Sequence, residues 1–311
     1  MAEILLSLTI IGVVAAITLP SLTGNINERT WNTQRKALYA RFSQAIALMP
    51  ALNGYGDNSD NAAETFVTGG VSKVLKINNI CDNEHLQDCG IVSKITTIGG
   101  VNFIVPVDMT TLNSYMTSSA SDGYGGSTSM LNTKAAAFET QNGESILVYY
   151  NPRCIGSLKE NPWMGGSGFY IQNKVCANFI YDLNGNKGPN TVGKDIGFMT
   201  AMYPSDVKIV APVPANKYLD STYGFRSAIK ACSNYDSDYR VPNVEEDISM
   251  FVNKNLLQGN NITMDGKRFW SSEKISSGNI IQGLMISLGT YPGQVDDKSL
   301  NESLYVWCVK R

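Results

Sequence analysis

The first fifty positions carry the clearest pattern. From Ile4 to Leu19 the chain holds no charge, and only Ser7, Thr9 and Thr18 are polar. These sixteen residues span about 24 Å as a helix, a little less than a hydrocarbon core of about 30 Å. Pro20 predicts a kink and not an end, because helical spacing resumes after it. Trp31, Leu38, Phe42, Ala45 and Met49 fall on one face, at steps of 7, 4, 3 and 4. Glu28, Arg29, Arg35, Lys36 and Arg41 keep the other faces polar. Pro50 and the turn pair Asn53-Gly54 close the pattern. The expectation is one helix from about residue 4 to residue 49, on the order of 70 Å long. Its first half suits lipid or a filament core, and its second half suits a globular head.

The period then changes. From Ala51 to about Met202 the chain reads as turns and strands, with strands over Ser145–Tyr150, Gly168–Ile171 and Val175–Tyr181 and a mobile Gly/Ser-rich loop over Ser118–Ser129. A sheet packed on the amphipathic half of the helix buries both. Ala211-Pro212-Val213-Pro214 reads as a stiff linker. Beyond it come a short helix over Tyr223–Cys232, a helical stretch through Leu257, a strand over Ile280–Leu288 and the apolar end Leu304–Val309. The fold class is therefore α+β: a long amino-terminal helix on an antiparallel sheet, then a smaller α+β domain. The boundaries fall at residues 1–50, 51–210 and 211–311.

Composition narrows the function. A length of 311 residues suits two or three domains, and 43% apolar residues are enough for a core. A net charge of −2 gives no basic footprint for nucleic acid. His85 is the sole histidine, which removes multi-histidine metal sites and most histidine-based catalysis. No nucleophile elbow, phosphate loop or metal-ligand spacing occurs. The adjacent acids Glu245-Glu246 and Asp296-Asp297 read as solvated faces, since adjacency does not set two carboxylates across a substrate. The expectation is not an enzyme.

Six cysteines, Cys81, Cys89, Cys154, Cys176, Cys232 and Cys308, all follow the apolar run. An even count in an exported segment predicts bridges, with 15 connectivities open. Pairing of sequence neighbours is the expectation: Cys81 with Cys89, Cys154 with Cys176, and Cys232 with Cys308. A bridge from Cys81 to Cys89 also leaves His85, between them, no thiol to activate.

One polar motif stands out: Asp182-Leu183-Asn184-Gly185-Asn186-Lys187-Gly188-Pro189-Asn190, then Gly193 and Asp195. The simpler reading is a hairpin exit whose Asn and Asp side chains bond their own backbone. The alternative is a calcium site from Asp182, Asn184, Asn186 and Asp195, since alternate oxygens suit a hard cation. It is not an EF-hand, because Lys187 and Gly193 occupy the places of the required Gly and Glu. No other cofactor is expected.

The start of the chain resembles type IV pilins and the pseudopilins of type II secretion. Glu3, the apolar run with Gly12, and Pro20 carry the likeness over about 25 residues. A lone acid beside a charge-free run is otherwise costly. The resemblance implies that Glu3 neutralises the amino terminus of a neighbouring subunit in a growing filament. It also implies partner subunits along the helix and an inner-membrane anchor before assembly. The family's leader, cleavage Gly and methylated Phe do not precede Glu3 here, where the chain reads Met1-Ala2-Glu3. A truncated or mis-started frame, or a trimmed chain, is the expectation. The motif from Asp182 to Asp195 is similar to a D-x-N-G-x-x-G-P-N-x-x-G-x-D pattern that recurs in pilin-like proteins.

The last 90 or so residues resemble the C-type-lectin-like family that includes the carboxyl-terminal domain of Legionella collagen-like protein. Cys232, Arg240, Pro242, Glu246, Trp270, Ser271, Ser272, Cys308 and Val309 match its pattern of Cys, W-R-L-P-T-x-x-E-L, Y-W-S-S and V-R-C-V-R. Tyr239, Val241, Asn243, Asp247 and Trp307 depart from it. Arg240 should sit half-buried, bonded to carbonyls, and Trp270 reads as a core anchor. The resemblance implies a carbohydrate or surface-protein ligand. Together the two likenesses predict a minor pilin or pseudopilin that displays an adhesive head outside the cytoplasm and at the cell surface. The alternatives are a secretion pseudopilin that contacts exported cargo, or an anchored extracytoplasmic enzyme.

Overall fold

The computed structural model describes residues 29–48, 62–107, 120–121, 127–128, 134–150, 174–203, 208–210, 216–257, 267–277, 280–287, 294–299 and 302–310. Of the helix expected from residue 4 to residue 49, helix α1 covers 29–48. The apolar run Ile4–Leu19 lies outside the described residues. Among the described residues no helix is long and apolar enough to cross a membrane.

The fold mixes helices with largely antiparallel sheets, an α+β arrangement. After α1 come α2 (Ala62–Phe66), a π-helical turn (Val67–Val71) and α3 (Ser72–Val74). The sequence pattern predicts only turns and strands here. The helical face made by Ala62, Ala63, Phe66, Val67 and Val71 is present, but Gly69-Gly70 interrupts it and hides the period.

The strands follow as β1 (Ile77–Cys81), β2 (Lys94–Thr96), β3 (Asn102–Ile104), β4 (Ala120–Ser121), β5 (Ser127–Thr128), β6 (Ala136–Thr140), β7 (Ser145–Tyr150), β8 (Lys174–Asp182), β9 (Ile196–Tyr203) and β10 (Lys208–Val210). Six of them form one sheet in the order β1-β6-β7-β8-β9-β10, with every neighbour antiparallel. The short pair β4–β5 stands where the sequence reads as a loop. The expected strand Gly168–Ile171 and the expected linker Ala211–Pro214 lie outside the described residues.

The main sheet is covered on both faces. Phe138, Ile146, Val148, Tyr150, Phe179 and Tyr181 pack with Leu38, Phe42 and Ile46 of α1 and with Phe66 and Val71. Phe42 meets Phe179 edge-on at 5.2 Å. The alternate residues Ala137, Leu147, Tyr149 and Ile180 join Ile95, Met250, Leu256, Phe269 and Trp307 on the opposite side. Successive strand residues point to opposite faces, so burial on both sides requires an unbroken apolar strand such as SILVYY.

The carboxyl-terminal elements are β11 (Asn216–Tyr223), α4 (Phe225–Tyr235), β12 (Tyr239–Arg240), α5 (Val244–Val252), α6 (Lys254–Leu257), β13 (Arg268–Ser277), β14 (Ile280–Ser287), β15 (Gln294–Ser299) and β16 (Leu304–Lys310). Their sheet runs β11-β16-β13-β14-β15, with β12 also on β16. The β13–β16 contact is parallel and the other pairs are antiparallel. A buried cluster of Phe225, Ala228, Cys232, Val241, Trp270 and Val306 fixes α4 to this sheet.

Candidate functional site

The loop from β8 to β9 is the most constrained polar feature among the described residues. Asp182 ends β8 and Ile196 opens β9, so the motif is the hairpin connection itself. Asp182 Oδ1 accepts the Asn184 backbone N–H at 3.0 Å. The Asn184 side-chain amide donates to the Gly188 carbonyl at 2.8 Å. Asp195 accepts three backbone N–H groups, from Asn190 (2.8 Å), Thr191 (2.9 Å) and Ile196 (3.1 Å). Gly188 and Gly193 take φ of 74° and 87°, and Asn190 takes 52°, a conformation that asparagine tolerates better than most residues.

The four residues of the expected calcium set therefore differ in their surroundings. Asp195 spends both oxygens on backbone donors and acts as the loop's staple. Asn186 is exposed. Asp182 and Asn184 each keep one buried oxygen without a hydrogen-bond partner, Oδ2 and Oδ1, and Asn190 adds a third through its Oδ1. Asn190 was legible in the motif, but nothing in a linear pattern separates a capped oxygen from an orphaned one. Among the described residues no group of three or more His, Cys, Asp or Glu side chains is placed to hold a metal ion. Amide oxygens stand outside that count.

Asp182 is 4% exposed and borders a small void lined by Ile91, Val92, Ile95, Leu147 and Ile196. Its carboxyl is pushed up to about 7, by burial first and also by the Asp195 charge, with the Asn184 N–H opposing. Beside it, burial holds the Tyr181 hydroxyl at about 12, with Arg35 opposing.

Arg35 connects this loop to α1. Its guanidinium donates to the Lys194 carbonyl at 2.7 Å and to the Gly193 carbonyl at 3.2 Å, and its other arm donates to Asn32 Oδ1 at 2.6 Å. The residue is 3% exposed, which corrects its assignment to a polar face. A signal was present. The apolar series steps by 7 from Trp31 to Leu38, and the turn it skips is filled by Arg35, on the packed face. Arg41, also read as solvated, pairs through both guanidinium arms with buried Glu144 at the β6–β7 turn. Two arginines thus fasten one helix to two hairpin connections at the same end of the sheet.

In the carboxyl-terminal segment Asn243 and Glu246 form a capping box at the start of α5. Glu246 N–H donates to Asn243 Oδ1 at 2.8 Å, and Asn243 N–H donates to Glu246 Oε2 at 2.9 Å. Arg240 grips the same carboxylate with both arms, at 2.7 and 2.6 Å, and reaches the Val241 carbonyl at 3.3 Å. Glu246 is buried, so the expectation of a solvated acidic face does not hold for it. Of Asp296 and Asp297 only the position on β15 is described. The Trp270 side chain is fully buried, and its N–H donates to the Tyr223 carbonyl at 2.7 Å.

Disulfides join Cys81 to Cys89 and Cys232 to Cys308. Cys176 is also in a disulfide, and its expected partner Cys154 lies outside the described residues. Glu3, Gly12 and Pro20 lie outside them as well. His85 stands exposed in the Cys81–Cys89 loop, with Nδ1 2.8 Å from Asp82 Oδ1.

No protein-family model matches the chain, and no curated protein matches it.

Proposed function

We propose that this chain is a pilin-like subunit, a minor pilin or pseudopilin of a bacterial type IV pilus or type II secretion filament, carrying a carboxyl-terminal ligand-binding domain. The observation that carries the reading is α1 on the main sheet. An amphipathic helix buries Leu38, Phe42, Ala45 and Ile46 against antiparallel strands, and the apolar, charge-free segment Ile4–Leu19 stands nine residues ahead of it in the sequence. In this reading the head is carried by whatever holds the sixteen residues Ile4–Leu19. That is the inner membrane first and the packed helices of sister subunits afterwards.

Glu3 then compensates the amino-terminal charge of a neighbour, and Gly12 and Pro20 set helix packing and bend. Disulfides at Cys81–Cys89 and Cys232–Cys308 suit an oxidising compartment outside the cytoplasm. The role is assembly and binding, not catalysis. The carboxyl-terminal segment resembles a C-type-lectin-like domain, and the pairing of its first and last cysteines supports that likeness. Its ligand in this reading is a carbohydrate or a surface protein. A bulk of about 100 residues beyond the sheet is hard to repeat along a dense helical shaft and favours a tip position.

The test is fractionation of the native host. Membranes and sheared filaments are probed for this chain by quantitative mass spectrometry. The expected result is membrane-bound protein plus a low ratio to the major subunit in filaments. Recovery solely as a soluble protein, in neither fraction, overturns the proposal, and abundance along the shaft overturns the tip position.

A further inference from the structure

A groove of about 270 Å³ runs between α1, the connection from α3 to β1, and the β6–β7 turn. Its base is apolar. Phe42 and Ala45 close the floor and are buried, Val74 and Leu75 are half-buried, and Leu48 stands on the lip at 56% exposure. Its rim is polar. Gln44 comes from α1, Lys76 immediately precedes β1, Gln141 and Asn142 come from the turn, and all four are exposed.

The walls are pinned to one another. Arg41 joins α1 to the turn through Glu144. The Gln141 N–H donates to the Lys76 carbonyl at 3.2 Å and joins the turn to the third wall. The Leu75 N–H donates to the Val71 carbonyl at 2.8 Å and holds that wall to the helical turn before it. A groove fixed in this way needs little ordering when a ligand enters, which removes one cost of binding.

Charge and shape narrow the occupant. The lining residues include Arg41 and Lys76 and no acid. Glu144 answers Arg41 from a buried position. Among the described residues Lys76 makes no salt bridge, so its charge is the uncompensated one. The groove therefore favours a carboxylate beside an apolar group. Its volume lies just below the range of about 300–1,000 Å³ for small-molecule sites and suits one or two side chains better than a cofactor. A sugar ring stacks on an open aromatic face, but Phe42, the aromatic residue in the lining, is 1% exposed. Exposed amides on two walls suit a peptide backbone, since each both donates and accepts.

We propose that this groove binds an extended segment of a partner protein in which an acidic residue neighbours an aliphatic one. The aliphatic side chain packs on Leu48 and Leu75, and the carboxylate meets Lys76. The proposal does not rest on the filament reading, because the apolar run Ile4–Leu19 takes no part in it.

The experiment uses the full chain, purified in mild detergent. A phage library of random short peptides is selected on it, and the most enriched peptide is titrated by fluorescence polarisation against wild-type and variant chains. The expected result is enrichment of Asp or Glu next to Leu, Ile, Val or Met, with binding that weakens as salt rises. Lys76→Glu reverses the charge and weakens binding about tenfold. Leu48→Asp removes the apolar lip and weakens it by about the same factor. Lys230→Glu, at an exposed lysine on α4, leaves it unchanged. If Leu48→Asp does not fold, as judged by circular dichroism, Lys76→Glu against Lys230→Glu decides. Failure to enrich an acidic and aliphatic pair overturns the proposal, and so does binding that survives both groove substitutions. A dimer that Lys76→Glu dissociates, seen by analytical ultracentrifugation, assigns the groove to a second copy and overturns it. An acidic glycan held by the wild-type chain on an array and lost with Lys76→Glu assigns it to a saccharide, with the same consequence.

Discussion

Asn178 and Asn253 exchange two side-chain amide hydrogen bonds, at 2.8 and 2.9 Å, across the boundary between the main sheet and α5. Thr200 donates to the same Asn178 oxygen at 3.0 Å and meets Ser249 Oγ at 2.8 Å. All four side chains are buried. The core residues around them on that sheet face, such as Leu147, Tyr149 and Ile180, are largely apolar, so this polar patch fixes where α5 lands on it. Asn178→Leu or Asn253→Leu alone is expected to cost about 1–3 kcal/mol, since each strands its partner's amide. The double variant is expected to cost less than the sum of the two. Urea denaturation of the three variants measures this, and strict additivity would contradict the pairing.

Arg35 makes a second prediction. Arg35→Met keeps most of the buried volume and removes the donors to Gly193, Lys194 and Asn32. The expected loss is about 1.5–3 kcal/mol, in the range of charged hydrogen bonds. Arg35→Lys should recover little, because an ammonium does not span the three acceptors with a planar fork. Hydrogen exchange should speed up at 190–196 in both variants and stay unchanged at β6. Unaltered exchange in the loop counts against the connection between helix and loop.

The pH response of His85 is simple to observe, because it is the sole histidine. Its hydrogen bond to Asp82, and then the Asp82 charge, raise its pKa above 6.5, while the same contact lowers that of Asp82. The sign follows. The folded-state value lies above the unfolded one, so the contact contributes below pH 6.5 and is lost as pH rises through the raised value. A single proton NMR titration curve is expected with its midpoint above 6.5, returning towards 6.5 in Asp82→Asn. A midpoint unmoved by that change contradicts the contact.

The Cys232–Cys308 bridge spans 76 positions and ties α4 to the last strand. Replacing both cysteines with serine should cost about 4 kcal/mol by the loop-entropy relation. Thermal unfolding under non-reducing conditions is the measurement. The loss should be larger than for the Cys81–Cys89 pair, whose loop spans 8 positions.

Of the main sheet's inner strands, β7 and β8 were readable because burial on both faces requires continuous apolar runs, and SILVYY and the run ending at Tyr181 supply them, whereas β6 and β9 were not. Two of the neighbour disulfide pairs were readable from cysteine order, and α4 and α5 from helical spacing. Glu246 was visible as one of two adjacent acids, but neither the capping box it forms with Asn243 nor its burial was. A local period reports which residues share a face and says nothing about what lies opposite that face. For this reason Arg35 and Glu246, both assigned to water, proved to be buried where partners from distant elements meet their charge. The same limit hid the surroundings of Asn190: its place in the motif is a property of the chain, but its Oδ1 is left without a partner only once the loop closes. The sequence alone determined the alternation of apolar and polar positions, because that alternation is written residue by residue. Tertiary structure decided which polar groups are paired, because hydrogen-bond partners are set by approach in space between segments up to 159 positions apart, as for Arg35 and Lys194.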